Sequence, residues 1–210
     1  MPGPGKRGRY HHGDLRAALI DTAIELIGER GVRGFSLTEA SRRLGVAGSA
    51  PYAHFADRDE LLAAVAVRAH ELLYEELTPA IRAGQPPADR LAGMASGYVR
   101  FAAAHKPLFE VIYEAGLDKA RYPAIEAAER PVTDAILGCV RALAGGEAAV
   151  KDLAVAVEAT AHGHVALLLE GDFGDSAPAV AEAAERAGRA TLALVASRHL
   201  LSVRDHSVTR

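Results

Sequence analysis

The chain has 210 residues, half of them hydrophobic, with a formal net charge of −3 and a single Cys. One Cys excludes an internal disulfide framework and is typical of proteins in a reducing cytosol. The longest uninterrupted apolar run, residues 61–67, is far shorter than the roughly 20 residues that span a membrane, and residues 1–13 lack the apolar stretch of a signal peptide. We therefore expect a cytoplasmic protein without a membrane segment.

The N-terminal segment is basic. Residues 1–13 carry Lys6, Arg7 and Arg9 and no acidic residue. Residues 1–60 hold nine Lys or Arg against eight Asp or Glu, whereas the rest of the chain holds fifteen against nineteen. A basic arm can follow nucleic-acid phosphates or enter a minor groove, but a solubilising tail has the same composition. Composition alone leaves both interpretations open.

Two helices are predicted next. Residues 14–30 have the apolar periodicity of an amphipathic helix, and Gly31 follows it. Ser36 and Glu39 form a Ser-x-x-Glu capping box, which predicts the start of a second helix. Gly45 supplies a residue that adopts the left-handed conformation easily, so the second helix is expected to end there in a sharp turn.

A third, short helix is predicted over residues 48–54, which we call the recognition segment. Pro51 is tolerable in its first turn, where backbone amides lack helical partners, and Tyr52 and Phe55 are available to anchor it. A longer helix is predicted over residues 58–77. Two short helices joined by a tight turn are the arrangement that holds a helix in the major groove of DNA.

The spacing of seven residues here resembles the DNA-binding domain of the TetR family of bacterial transcription regulators: Gly45, Val46, Tyr52, His54, Phe55, Arg58 and Leu61. The resemblance implies a DNA-binding domain over residues 14–74, with the helix-turn-helix at residues 36–55. Three positions depart from the family pattern. Ala47 stands where Ser often caps the recognition helix, Ser49 where Gly is frequent, and Arg58 where Lys is usual, which leaves open the bases that are read.

On this resemblance the recognition segment lies in the major groove, and Tyr52, His54 and Arg58 contact phosphates. The segment has no Arg, Lys, Asn or Gln, so we expect base reading to depend on Ser49, on alanine contacts to thymine methyls and on the basic arm in the minor groove. The predicted DNA-binding residues are Arg7, Arg9, Ser36, Thr38, Arg42, Ala47, Gly48, Ser49, Ala50, Tyr52, His54 and Arg58.

The rest of the chain is also predicted to be helical. After a break at residues 83–88, helical patterns cover residues 89–105, 107–115, 123–144, 151–170 and 178–201. The sequence thus predicts an all-α fold, in which an N-terminal three-helix domain is followed by a C-terminal helical bundle over residues 75–202 for effector binding and dimerisation.

The last helix is rich in small residues: Ala181, Ala183, Ala184, Ala187, Gly188 and Ala190. In the TetR family the last two helices pair with their copies in a second subunit, so the resemblance implies a homodimer. An internal Ala-rich helix in a monomer is the alternative. Residues 161–164 (Ala-His-Gly-His) also look like a subgroup whose ligand domain bears a Trp-His-Gly signature, with Ala161 in place of the Trp.

Aromatic and polar residues at helical spacing in the C-terminal half are candidates to contact a small-molecule effector, although the same pattern is typical of an ordinary core. His162 stands out because a polar group inside an apolar bundle needs a partner. The candidates are Met94, Tyr98, Phe101, Phe109, Tyr113, His162 and Leu168.

Patterns for enzyme and metal chemistry are incomplete. Gly3, Gly5 and Gly8 match a dinucleotide fingerprint, but they follow no predicted strand. His70 and Glu71 begin a zinc-protease motif whose second His is missing, and His162 and His164 point to different sides of a helix. We expect neither a catalytic site nor a metal or cofactor.

On this resemblance we expect a dimeric TetR-type regulator that acts as a ligand-responsive repressor on a two-fold operator. The alternative is a ligand-binding helical protein whose DNA-binding domain no longer functions, which the missing cap at Ala47 and the few long donors would explain.

Overall fold

A computed structural model of the chain describes residues 15–82, 84–174 and 176–201. These residues contain helices and no strand, so the predicted all-α class is confirmed. The eight α-helices are α1 (Leu15–Gly34), α2 (Leu37–Leu44), α3 (Arg58–Arg82), α4 (Pro87–Ala104), α5 (Lys106–Glu114), α6 (Pro123–Leu143), α7 (Glu147–Glu170) and α8 (Ala177–Ala196). Two short 3₁₀ helices lie at Ala50–Ala53 and Arg198–Leu200.

The structure contains the predicted boundaries of the first two helices, but one predicted capping interaction is missing. Gly31, with φ 72°, interrupts the helical backbone near the end of α1, and Gly45, with φ 67°, ends α2 by donating its N–H to the carbonyl of Arg42. Ser36 caps α2 by accepting from the N–H of Glu39 at 3.2 Å. The carboxylate of Glu39, however, binds the side chain of Arg42 instead of completing the predicted capping box.

The predicted helix over residues 48–54 is wrong in type and length. Only a single 3₁₀ turn, Ala50–Ala53, forms there, and no side chain caps its start. Pro51 has no N–H for an α-helical bond. Ala47 has no side-chain acceptor that could cap the free N–H groups in the first turn of a longer helix. Bonds between residues three apart predominate, such as the N–H of His54 to the carbonyl of Pro51 at 2.9 Å, and the N–H of Phe55 forms one α-type bond to the same carbonyl.

Helix α3 joins the two halves of the molecule. It continues five residues beyond the predicted end at residue 77 and includes Pro79. Its first turns bury Leu61, Leu62 and Val65 against the N-terminal helices, and its later turns pack against α4, α5 and α6. One continuous helix therefore contacts both the N-terminal domain and the C-terminal bundle.

In the C-terminal bundle, α4 and α8 approach closely because both present small residues. Ala184, Ala187 and Gly188 of α8 are buried, and the hydroxyl of Ser96 on α4 donates to the carbonyl of Ala184 at 2.8 Å. The lone Cys139 on α6 is only 1% exposed. Burial raises the pKa of its thiol, so it is a small core residue rather than a reactive group.

Candidate DNA-binding surface and ligand cavity

The recognition segment projects from the N-terminal domain. Pro51 and Phe55 are buried and hold it in place, whereas Tyr52 is 58% exposed. Gly48, Ser49 and Ala53 are also exposed, and Ala50 and His54 are half-buried. The segment therefore has an anchored inner side and a free outer side, as seating in a groove requires.

Other predicted contact residues surround this surface. Ser36, Thr38 and Ala47 are exposed, although the Ser36 hydroxyl already caps α2. Arg42 is exposed, and Glu39 accepts from its Nε at 3.0 Å and from its Nη2 at 2.8 Å. Hydrogen bonding from Arg42 holds the pKa of Glu39 at about 2, so this acid keeps its charge beside the surface. A phosphate would therefore compete with Glu39 for Arg42.

Arg58 has an internal role that sequence reasoning missed. Its Nη2 donates to the carbonyl of Val32 at 2.5 Å and its Nε to that of Phe35 at 3.1 Å. These carbonyls lie at the α1–α2 junction, where helical partners are missing. The guanidinium thereby joins the start of α3 to that junction. Its predicted phosphate contact stays a prediction, and Arg7 and Arg9 lie outside the described residues.

A cavity of about 510 Å³ lies in the C-terminal bundle, bounded by α3, α4, α5, α6 and α7. Of the predicted effector residues, Met94, Tyr98 and Tyr113 line it. The hydroxyl of Tyr98 donates to that of Tyr113 at 2.5 Å and lies 3.1 Å from Nδ1 of His162. Apolar walls and a few convergent polar groups are typical of small-molecule sites.

The other four predicted effector residues are not part of the cavity lining. Phe109 stacks on the ring of His162 with a centroid distance of 5.6 Å, and both rings pack against Tyr98 and Tyr113. Phe101 packs against His105, and Leu168 is a buried core residue of α7.

Several polar lining residues were not predicted from the sequence: His70, Lys119, Glu129, Thr133 and Glu158. His70 lies on the α3 face formed by Ala66, Leu73 and Leu77, and this apolar periodicity could have revealed its inward position. The others come from separate elements that only the tertiary fold brings together.

The connection between α5 and α6 links the cavity to the recognition region. Leu117 and Lys119 of this loop line the cavity, while Arg121 binds the carboxylate of Asp57 at 2.9 Å. Asp57 also accepts from the N–H of Glu60 at 2.8 Å and so caps the start of α3, directly after the recognition segment.

A second cavity, of about 700 Å³, lies at the α6–α7 turn and the second 3₁₀ helix. Five of its eleven lining residues are Ala or Gly at the turn, and its lining reaches Leu201 at the end of the described chain. It has no aromatic residue other than His199. The bundle cavity is therefore the stronger candidate for an effector site.

Helices α7 and α8 leave apolar side chains uncovered. Val155 is 58% exposed and Leu167 is 42% exposed on α7, and Leu192 is exposed on α8. Ala159 and Gly163 lie between the two α7 residues at spacings of four. By length and composition alone α7 is apolar enough to cross a membrane, but a helix that packs against a second subunit has the same character.

Two family models match the chain. "Bacterial regulatory proteins, tetR family" matches residues 19–65, and "Tetracyclin repressor-like, C-terminal domain" matches residues 91–191. A solved protein of unknown function from Rhodococcus sp. RHA1 is 31% identical, with a TM-score of 0.71 over 89% of this chain and 98% of that chain. A comparison with curated protein sequences found no significant match.

More distant solved structures share the fold. FadR from Bacillus subtilis, solved with stearoyl-CoA, is 16% identical, with a TM-score of 0.67 over 87% of this chain and 98% of its own. AibR, solved with isovaleryl coenzyme A and operator DNA, is 17% identical, with a TM-score of 0.62 over 85% of this chain and 96% of its own.

Proposed function

Because the chain belongs to the TetR family of DNA-binding transcription regulators, which are not enzymes, we propose that it is a ligand-responsive repressor that binds a two-fold operator as a homodimer. The observation that carries this proposal is the recognition segment, which is anchored by Pro51 and Phe55 and free on the side of Tyr52. A small molecule in the bundle cavity would release the operator. The proposed location is the cytoplasm, without membrane contact or cofactor.

The uncovered apolar surface supports the dimer. Val155 and Leu167 on α7 and Leu192 on α8 would be buried if the two helices packed against their copies. An operator with two half-sites requires a protein with matching two-fold symmetry. The proposed four-helix interface would serve both needs.

The predicted contact residues divide into two groups on this proposal. Tyr52, Ser49 and Thr38 have exposed side chains without a partner among the described residues, so they are the first candidates for contact with DNA. Arg42 and Arg58 are bound to protein groups and would have to share their donors with a phosphate. The basic arm, with Arg7 and Arg9, would supply further cationic contacts.

A gel-shift titration on the region upstream of the chain's own gene tests the proposal. We expect sequence-specific binding that weakens as salt rises, because neutralised phosphates release their counterions. Tyr52→Ala is expected to lower affinity, and Arg42→Ala to lower the salt slope by about one if Arg42 contacts a phosphate. Arg141→Ala, which removes an exposed cation from α6, is the matched control and should change neither.

The second candidate is a ligand-binding protein whose helix-turn-helix no longer functions. It is favoured by the ion pairs that occupy Arg42 and Arg43 and by the carbonyls that occupy Arg58. Binding no stronger to the upstream region than to unrelated DNA would support this candidate instead. If binding is specific, an unchanged footprint and affinity after removal of residues 1–12 would exclude the role of the basic arm.

A further inference from the structure

The charged groups that line the bundle cavity are unequal in sign. Glu129 and Glu158 supply two carboxylates, whereas Lys119 supplies a single ammonium group. Lys119 is bound to Glu129, so this pair is already neutralised. Glu158 is exposed to solvent on α7 and has no hydrogen bond or salt bridge within the described ranges, so one uncompensated negative charge lies on the exposed part of the lining.

Two aromatic rings lie in the electrostatic field of that charge. Tyr98 is half-buried and Tyr113 is 46% exposed. Loss of hydration at the cavity raises the pKa of both hydroxyls, and the charge of Glu158 raises both further, so the phenols stay neutral at pH 7. The faces of neutral phenol rings attract cations, and their hydroxyl oxygens accept hydrogen bonds. A cationic group beside Glu158 would therefore find three favourable neighbours.

His70 adds an unused polar group on the α3 wall. The residue is 5% exposed, and its Nδ1 has no hydrogen-bond partner among the described residues. Burial lowers the pKa of His70, so the ring is neutral at pH 7 and does not repel a cation. A buried polar atom without a partner normally marks a place for water or a ligand.

From these contacts we infer that the cavity, as the effector site of the proposed repressor, binds an organic cation with an apolar body. The body lies against Leu73, Leu91 and Met94, and the cationic nitrogen lies between Glu158 and the rings of Tyr98 and Tyr113. This inference rests on the proposed function for its regulatory meaning, but the binding itself can be measured without DNA.

The inferred ligand differs in charge from those of two structural neighbours. FadR and AibR were solved with coenzyme A esters, which are polyanionic. At this cavity a polyanion would meet the free carboxylate of Glu158, and the only lining ammonium group already binds Glu129. Charge complementarity therefore favours a cation over an anion.

The test uses three probes that share one apolar body and differ in charge: phenylbutylamine, phenylbutanol and phenylbutyrate. Each is titrated into the full-length chain at pH 7 by isothermal calorimetry. We expect the amine to bind about tenfold or more tightly than the alcohol, and the carboxylate to bind most weakly. Equal affinities, tightest binding of the carboxylate, or no binding of any probe would overturn the inference.

Two variants separate the site from a general effect of protein charge. Glu158→Gln keeps the size of the side chain and should abolish the preference for the amine while leaving the affinity for the alcohol unchanged. Glu126→Gln is the matched control, because Glu126 is exposed on α6 and does not line the cavity. If Glu158→Gln retains the preference, or Glu126→Gln loses it, the assignment of Glu158 is wrong.

Gel shifts on the same protein distinguish this inference from the proposed function. Specific DNA binding without any preference for the amine would overturn the inference and leave the regulator proposal intact. A preference for the amine without specific DNA binding would do the reverse and favour the ligand-binding alternative.

Discussion

At the scale of single residues, Gly188 shows how closely α4 and α8 approach. A Cβ atom at this position would lie 2.6 Å from the hydroxyl oxygen of Ser96 and 3.2 Å from the carbonyl oxygen of Ala92. The hydroxyl is held by its bond to Ala184, and the carbonyl belongs to helical backbone, so neither moves cheaply. A single methyl group would therefore separate the two helices.

We predict that Gly188→Ala lowers the free energy of unfolding by about 1–3 kcal/mol, since overpacking forces the backbone to shift. Gly138→Ala is the matched control, because Gly138 lies within α6 and a Cβ there would meet nothing within 4 Å. It should raise stability by about 0.5–1 kcal/mol through helix propensity. Urea unfolding at one protein concentration measures both. Similar effects of the two substitutions would contradict the close approach.

Glu39 gives a prediction for acid stability. Hydrogen bonds from Arg42, with further attraction from Arg42 and Arg30, hold its folded pKa at about 2, below the ordinary 4.5. The unfolded chain thus binds the proton first, and the contribution of Glu39 to stability is fully present above pH 4.5 and is lost as pH falls towards 2. Glu39→Gln should make unfolding less dependent on pH over this window, which circular dichroism can follow. An unchanged pH dependence would show that the pair does not form.

At the scale of secondary-structure elements, the loop between α5 and α6 is fixed by two ion pairs, one at the cavity and one at the start of α3. Lys119 binds Glu129 at the cavity, and Arg121 binds Asp57 at the start of α3. Movement of the loop at the cavity would therefore act on the cap that follows the recognition segment.

We predict that Arg121→Gln speeds hydrogen exchange of the backbone amides at residues 58–61, because Asp57 caps α3 less rigidly without its cationic partner. Arg130→Gln is a close control, since both arginine side chains are 62% exposed but Arg130 pairs with Glu126 within α6. Mass spectrometry of the exchanged protein measures the difference. Equal exchange in the two variants would exclude the link from loop to cap.

Local signals in the sequence explain which elements were predicted well. Ser36 and Gly45 determine both ends of α2 through their own backbone and side-chain chemistry, so their roles were visible without the fold. The recognition segment was harder, because Pro51 is compatible with either an α-helical first turn or a 3₁₀ turn. Arg58 matched the family pattern, yet its carbonyl partners are 23 and 26 residues away.

The lining of the candidate cavity likewise includes residues that local sequence patterns predict and residues that only the tertiary fold brings there. Met94, Tyr98 and Tyr113 were predicted because they recur at helical spacing on two helices. Nothing in the sequence separates Glu129 and Glu158 from the other acidic residues of α6 and α7, since their positions at the cavity follow from the packing of these helices against α3 and α4. Long-range packing of this kind leaves no trace in local periodicity.

At the scale of the whole molecule, the uncovered apolar side chains of α7 make a strong prediction about assembly. Leu167→Glu should convert the proposed dimer into a monomer, because a carboxylate buried in an apolar interface loses its hydration without gaining a partner. Sedimentation equilibrium of the full-length chain measures the change. Ala127→Glu, which adds the same charge to an exposed position of α6, should leave the dimer intact. A parent chain that is monomeric at every concentration would refute the dimer itself.

The burial of Cys139 makes the protein suitable for site-directed labelling at an introduced cysteine. Since Cys139 is only 1% exposed and burial raises the pKa of its thiol, thiol-specific reagents should leave the parent chain unmodified. A cysteine introduced as Ser49→Cys would then be the sole target for a spin label, with no background to remove. In the proposed dimer the two labels form one pair. The distance between them, measured with and without a bound amine, would report the separation of the two recognition segments.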